Sequence, residues 1–285
     1  MPVEIPPQTW PVYPFGGPWF AYMLFLAAVG VGLHLVLSRF GPEGRRRGLI
    51  IVGCFNAVLF TVYTINLTRT PGYDFNIWTN LPLQFCSLVS WGIIPAAALP
   101  YKTLRGLCYF PGALGGFAAL VSPAPTFQGR SLFSLFSLGF YGTHGINVIV
   151  SILLATLGLY IPSFKEAARI TFWFVVGLCL PIFFLDVVGR AFIDPTINYF
   201  YFFDPEGAGI LVALHNLIPI TFVYEMPIVP VAYLCFVLQA GIYVWTMKAL
   251  ARRRGDPPEA PAREDGVVHD PGAAAFPGTG LAPSM

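Results

Sequence analysis

PWFAYMLFLAAVGVGLHLVLSR, residues 18–39, meets only one side chain that titrates near neutral pH, His34, before it reaches Arg39. A helix rises about 1.5 Å per residue and a bilayer's hydrocarbon core is about 30 Å thick, so roughly 20 apolar residues make one crossing. The stretch therefore reads as a transmembrane helix. The same criterion, carried along the chain, gives seven: about 18–39, 48–67, 80–99, 106–122, 133–158, 169–189 and 228–248. The fourth is short and holds Pro111 and four glycines, which predicts a kink or close packing on a neighbour.

Composition agrees with this reading. Of 285 residues 56% are hydrophobic and 11% charged, and the mean hydropathy is +0.68, a balance suited to lipid rather than to a soluble core. The expected fold class is all-α, a polytopic membrane bundle of seven helices. Residues 1–17 read as an extracytoplasmic segment, 18–250 as the membrane domain, and 251–285, rich in Pro, Gly and Ala, as a flexible cytoplasmic tail. The N-terminus has no basic stretch followed by a small-residue cleavage site, so the first helix is expected to insert uncleaved. The net charge of +2 comes with no basic face and no nucleic-acid or nucleotide motif. Neither a nucleic-acid partner nor a cofactor is expected.

Charge orients the bundle. Arg39, Arg45, Arg46, Arg47, Lys102, Arg105, Lys165, Arg169, Lys248, Arg252, Arg253, Arg254 and Arg263 fall in alternate connections and account for 13 of the 16 basic residues. The positive-inside rule then puts the N-terminus outside and the tail in the cytoplasm. An eighth crossing through 207–225 would move the triple arginine outside, so about 205–227 reads as an outer re-entrant or interfacial segment.

Ionisable groups inside apolar spans point to function by default. Cys86, in LPLQFCSL (81–88), and His144, in YGTHGIN (141–147), fall at similar depths, about 9 Å below the outer edge for a helix that starts near 80 and about 12 Å for a hydrocarbon core centred in the helix 133–158. Cys54, Cys108, Cys179 and His34 fall elsewhere. Cys235 and His215 remain as rivals, and spacing leaves all four pairings open. A buried cysteine is commonly just a small hydrophobe, and a membrane histidine can simply bond a facing helix. Asn147 could line a hydrated cavity or join helices. Asn198 and Tyr199, in NYFYFFDP (198–205), could close the mouth of a site, beside aromatic anchors of the membrane interface. Asp186 and Arg190, four apart, allow an ion pair across one helical turn. The histidines are scattered without a His-x-x-x-His spacing, so no metal site is expected.

LPLQFCSL, GALGGFAALVSP (112–123), the YGTH helix and NYFY (198–201) together resemble the bacterial YwaF family of integral membrane proteins. That family is similar to eukaryotic transmembrane protein 164, a cysteine-dependent acyltransferase that remodels ether phospholipids. The resemblance runs from about residue 20 to 248. It implies a nucleophile at Cys86, a histidine at His144, and membrane phospholipids or lysophospholipids as partners. The implied chemistry is ping-pong acyl transfer: histidine takes the thiol proton, thiolate attacks an ester carbonyl, and the acyl group passes to a lysolipid hydroxyl or, in a hydrolase, to water. Such a site needs an oxyanion hole, for which Ser87, Thr143 and Asn147 are the candidate donors. The other class open to such a bundle is a transporter or a lipid- or small-molecule-binding protein without catalysis.

Overall fold

The computed structural model describes residues 10–69, 75–123 and 127–254. The expected tail lies outside the described residues beyond Arg254, as do residues 1–9 of the N-terminal segment. Among the described residues the chain is almost wholly helical: α1 Gly17–Leu37, α2 Pro42–Thr68, α3 Phe85–Ala98, α4 Lys102–Val121, α5 Leu135–Thr156, α6 Phe164–Phe174, α7 Leu180–Phe192, α8 Gly209–Leu217 and α9 Ile228–Arg254. Six stretches are long and apolar enough to cross a membrane: α1, α2, α4, α5, the continuous Phe164–Phe192 and Val223–Leu250. Residues up to Val244 form one compact unit, and the end of α9 belongs to a second that begins at Trp245.

Two of the expected spans take a different form. α3 is only 14 residues long, so a helix expected from about 80 begins at Phe85. Pro82 lacks a backbone N–H and disfavours helical conformation at the residue before it, and residues 77–83 fold into turns instead. Cys86 consequently lies in the first turn of α3 rather than well inside it. The sixth span starts earlier than expected, at Phe164, where the Ser163 side chain accepts the Glu166 N–H at 3.2 Å. It runs through a π-helical turn, Val175–Cys179, into α7, whose second residue is Pro181. A π turn lets the helix absorb a proline without breaking. The segment expected to lie at the outer face carries the nine-residue α8, too short to cross.

α5 is the centre of the fold. It packs on α1, α2, α3 and α4, and 14 of its 22 residues are buried. α1, by contrast, leaves Phe20, Leu24, Phe25, Val31 and Leu35 exposed, an apolar surface of the kind hydrocarbon covers. A two-residue ribbon, Pro11–Val12 against Arg130–Ser131, ties the chain before α1 to the connection entering α5.

At one end of the bundle arginines close the helix C-termini, where backbone carbonyls lack intrahelical partners. Arg45 donates to the carbonyls of Ser38 and Phe40 beyond α1 and of Leu157 beyond α5. Arg46 donates to Ala98 at the end of α3. Arg105 donates to Ala96 of α3 and to Leu159 after α5. Buried Glu166 binds Lys102 at 3.2 Å and Arg169 at 2.6 Å nearby. The basic residues thus gather at the shared C-terminal ends of α1, α3 and α5.

α4 approaches its neighbours through glycine. A Cβ at Gly116 would stand 3.0 Å from the His144 carbonyl oxygen and 2.9 Å from Val148; at Gly115 it would stand 2.7 Å from the Phe85 ring. Backbone cannot yield as a side chain does, so Gly116→Ala must push α4 from α5, an overpacking that costs roughly 1–3 kcal/mol. Gly32, with nothing within 4 Å of its Cβ position, provides the control. Unfolding in detergent should show the loss for Gly116→Ala and none for Gly32→Ala; equal stabilities would contradict the close α4–α5 approach.

Candidate active site around Cys86 and His144

Asn147 brings α2, α3 and α5 together. Its Nδ2 donates to the Cys86 carbonyl at 3.2 Å. Its Oδ1 accepts from Asn56 Nδ2 at 2.8 Å and from Ser90 Oγ at 3.1 Å, and Ser90 also donates to the Cys86 carbonyl at 2.9 Å. Asn56, Ser90 and Asn147 are all buried to within 1% exposure. Away from water a polar group without a partner is costly; the Asn147 amide, the Asn56 nitrogen and the Ser90 hydroxyl pair with one another, while the Asn56 Oδ1 has no hydrogen-bond partner among the described residues.

This network fixes the level of the reactive residues. His144 is three residues before Asn147, one turn away on the same face, and helical side chains lean toward the N-terminus. α3 and α5 run in the same direction, since their C-termini share the arginine-capped end. Asn147 touching the Cys86 backbone therefore places His144 level with the start of α3. The glycine contacts agree, because adjacent residues of α4 touch Phe85 and His144. Both Cys86 and His144 are half-buried. Among the described residues no hydrogen bond joins the thiol to the imidazole; Asn147 bonds the Cys86 backbone, and His144 lies one turn before Asn147 on α5.

Each reactive group has a defined electrostatic setting. The first hydrogen bond of α3 runs from the Leu88 N–H to the Gln84 carbonyl at 2.9 Å, and the Gln84 side chain does not cap the helix. Among the described residues the N–H groups of Phe85, Cys86 and Ser87 show no backbone acceptor. The thiol thus stands at the positive end of a helix, which favours a thiolate, while burial opposes one. His144 Nδ1 lies 2.7 Å from the Phe140 carbonyl. A carbonyl only accepts, so Nδ1 carries the proton and the neutral ring presents Nε2 as its basic atom. The ring also rests 4.5 Å from the Phe140 ring.

The remaining candidates distribute as follows. Thr143 donates to the Gly139 carbonyl of its own helix at 2.7 Å, and Asn147 is engaged as described, so of the expected oxyanion donors only the Ser87 hydroxyl has no hydrogen-bond partner among the described residues. Asn198 donates to the Asp204 carbonyl at 2.7 Å and to Glu206 Oε1 at 2.9 Å, and accepts the Phe203 N–H at 3.0 Å. Burial pushes the Glu206 carboxyl above its usual range, and the Asn198 bond opposes that shift. Tyr199 donates its hydroxyl to the Trp78 carbonyl at 2.5 Å, while its N–H donates to both oxygens of buried Asp186, at 3.2 and 3.1 Å. The ion pair expected of Asp186 and Arg190 is not formed: Arg190 donates to the Ile197 carbonyl and stacks over Phe203. Both residues of α7 hold the loop that follows it. That loop reaches the site through Phe200, whose ring meets Phe85 edge-on at 6.1 Å. His215 packs edge-on against Tyr224. All five cysteines are free.

A model of the TMEM164 family matches residues 7–245. The chain belongs to the TMEM164 family. The match takes in all seven expected spans apart from the last residues of the seventh, and both Cys86 and His144 lie inside it. No curated protein and no solved structure matches the chain. Together with the six long apolar helices, membership establishes a multi-pass integral membrane protein of this family.

The Asn147 network makes an energetic prediction. Asn147→Ala removes the acceptor of Asn56 Nδ2, one of the two acceptors of Ser90 and one donor to the Cys86 carbonyl, and each polar group orphaned away from water costs about 1–3 kcal/mol. Ser90→Ala removes one hydroxyl and orphans less. Reversible unfolding in detergent should place Asn147→Ala at least about 1 kcal/mol below Ser90→Ala; equal losses would show that the amide does not hold the three helices.

Proposed function

We propose that this protein is a thiol-dependent lipid-modifying enzyme, an acyltransferase acting on the acyl chains of membrane phospholipids and lysophospholipids. One observation supports the reading: Asn147, one turn from His144 on α5, is bonded to the backbone of Cys86 at the start of α3, and the His144 Nδ1 is held by the Phe140 carbonyl. The resemblance of these segments to a family with a cysteine-dependent acyltransferase supports the same assignment.

In this mechanism His144 Nε2 accepts the proton of the Cys86 thiol, directly or through one water. The sulfur attacks the ester carbonyl carbon; a C–S bond forms as the carbonyl π pair moves onto oxygen. Collapse of that intermediate breaks the C–O bond, and the leaving lysolipid alkoxide takes the proton back from the imidazolium. The thioester then passes its acyl group to an acceptor hydroxyl by the same steps in reverse, or to water if the enzyme is a hydrolase. Asn147 holds the nucleophile's backbone, and Asn198 and Tyr199 shape the loop beside the site. The arginine-capped end faces the cytoplasm by the positive-inside rule, so the reaction takes place toward the outer leaflet of a bacterial plasma membrane.

Purified protein mixed with a phospholipid and an isotopically distinct lysophospholipid should exchange acyl chains, as read by mass spectrometry. Cys86→Ala should abolish exchange, and His144→Ala should slow it by about 10²- to 10⁴-fold, the usual contribution of a general base. Exchange that survives Cys86→Ala would rule out the thiol mechanism. A folded protein that turns over no phospholipid would instead favour transport or binding.

A further inference from the structure

A basic residue stands just outside the start of α5. Arg130 pairs with Val12 in the two-residue ribbon, and Trp10, Tyr13, Phe15 and Phe133, which flank the ribbon in sequence, are all exposed. Exposed tryptophan and tyrosine gather where hydrocarbon gives way to headgroups. The ribbon therefore marks the headgroup level at the outer end of α5.

The three arginines expected on the outer side are engaged differently. Arg190 donates to the Ile197 carbonyl and covers Phe203, and Arg69 closes the end of α2. Arg130 holds its Cζ 4.8 Å from the centroid of the Phe136 ring. Among the described residues its guanidinium has no hydrogen-bond acceptor and no carboxylate in ion-pair range. Carboxylates at this end are committed to α7 and the loop after it: Asp186 accepts from Tyr199, Asp194 from Thr196 and Asn76, and Glu206 from Asn198. A ring beneath the guanidinium occupies its face and leaves the N–H donors along its edge open.

Contacts run from Arg130 inward to the reactive residues. Phe136 lies 5.6 Å from Phe127, Phe127 stacks on Phe140 at 4.5 Å, and Phe140 lies 4.5 Å from the His144 ring. Phe136, Phe140 and His144 are spaced by four and form one stripe of α5, and from the first to the last the helix rises about 12 Å. The order along α5 is cation, aromatic column, imidazole. A phospholipid of the outer leaflet presents its groups in the same order: phosphate among the headgroups, a glycerol spacer, then ester carbonyls at the edge of the hydrocarbon. The arginine side chain and the glycerol share the interval between them.

We propose that Arg130 binds the phosphate of the phospholipid or lysophospholipid substrate and so presents its ester carbonyl, or its free hydroxyl, to Cys86 and His144. The use made of the bound lipid rests on the acyl-transfer reading. Guanidinium meets a phosphate with two parallel N–H···O bonds, and the Phe136 ring fixes its plane. A neutral diacylglycerol offers the same chains and esters without the anion, so the site distinguishes the two.

Binding of dioleoyl phosphatidylcholine and of dioleoylglycerol to the purified protein, followed by native mass spectrometry in detergent, reads the anion directly. The unaltered protein should prefer the phospholipid at least about tenfold. Arg130→Met should weaken phospholipid binding by about 10- to 100-fold, the worth of hydrogen bonds to a charged group, and leave diacylglycerol within about twofold. Arg130→Lys keeps the charge without the fork and should retain part of the preference. In single-turnover acylation of Cys86, Arg130→Met should raise the phospholipid concentration needed for half-maximal rate by a similar factor. A preference that survives Arg130→Met, or is absent from the unaltered protein, overturns the proposal. Equal weakening of both lipids marks a disturbed fold and overturns it too. Inorganic phosphate that displaces the phospholipid at equal concentration overturns lipid recognition in favour of the free anion. An Arg130-dependent preference in a protein that never acylates at Cys86 overturns the acyl-transfer reading and leaves the phosphate site standing.

Discussion

Hydrocarbon offers no partner to a polar atom, and the amide of Asn147 shows what that constraint does to a helical bundle. One side chain on α5 meets α2 through Asn56, α3 through the Cys86 carbonyl, and Ser90 in between. Apolar packing between membrane helices is weakly directional, because lipid tails satisfy leucine as well as another leucine does. Hydrogen bonds are directional. The register of α3 against α5, and with it the height of Cys86 relative to His144, is therefore set by amide geometry more than by the surrounding aliphatic contacts. Gly115 and Gly116 complete the arrangement by letting α4 close on both helices at that level.

The arginines at the opposite end solve a related problem. A helix C-terminus leaves carbonyls without donors, and α1, α3 and α5 all end there. Arg45, Arg46 and Arg105 supply guanidinium donors from α2 and α4 to carbonyls at or just after those ends. These residues have a structural reason to stand where they do, independent of any orienting effect on insertion. The same charges that read as an inward signal along the chain also complement three helix dipoles.

Much of this was legible in the chain, and the exceptions have local causes. Continuous apolar runs give α1, α2, α4 and α5 within a few residues because nothing inside them interrupts the helix; even Pro111 leaves α4 continuous. The early start of α6 is written as a capping box, Ser163 followed by Glu166, a signal that a hydropathy criterion overlooks because lysine, glutamate and arginine depress the first turns. Leu-Pro-Leu at 81–83 is apolar enough to extend a span, yet proline shortens α3 and moves Cys86 to a helix terminus. Asp186 and Arg190 have the spacing of a pair, but the following loop offers each a backbone partner.

The shortened α3 changes the chemical argument most. Mid-helix, every N–H around a cysteine is bonded within the helix and the dipoles largely cancel. In the first turn the N–H groups are open, the partial charge is positive, and the sulfur shares its level with an imidazole whose proton sits on the far nitrogen. No carboxylate is needed to orient that imidazole, because the Phe140 carbonyl does so from one turn away. Neutral donors suit such a place: a full charge would be expensive to hold near hydrocarbon in the resting state, whereas fixed N–H and O–H dipoles cost little until charge develops and then act in a low dielectric. In the proposed acyl transfer, a helix start and a backbone-anchored histidine serve the thiol without placing a permanent ion in the membrane.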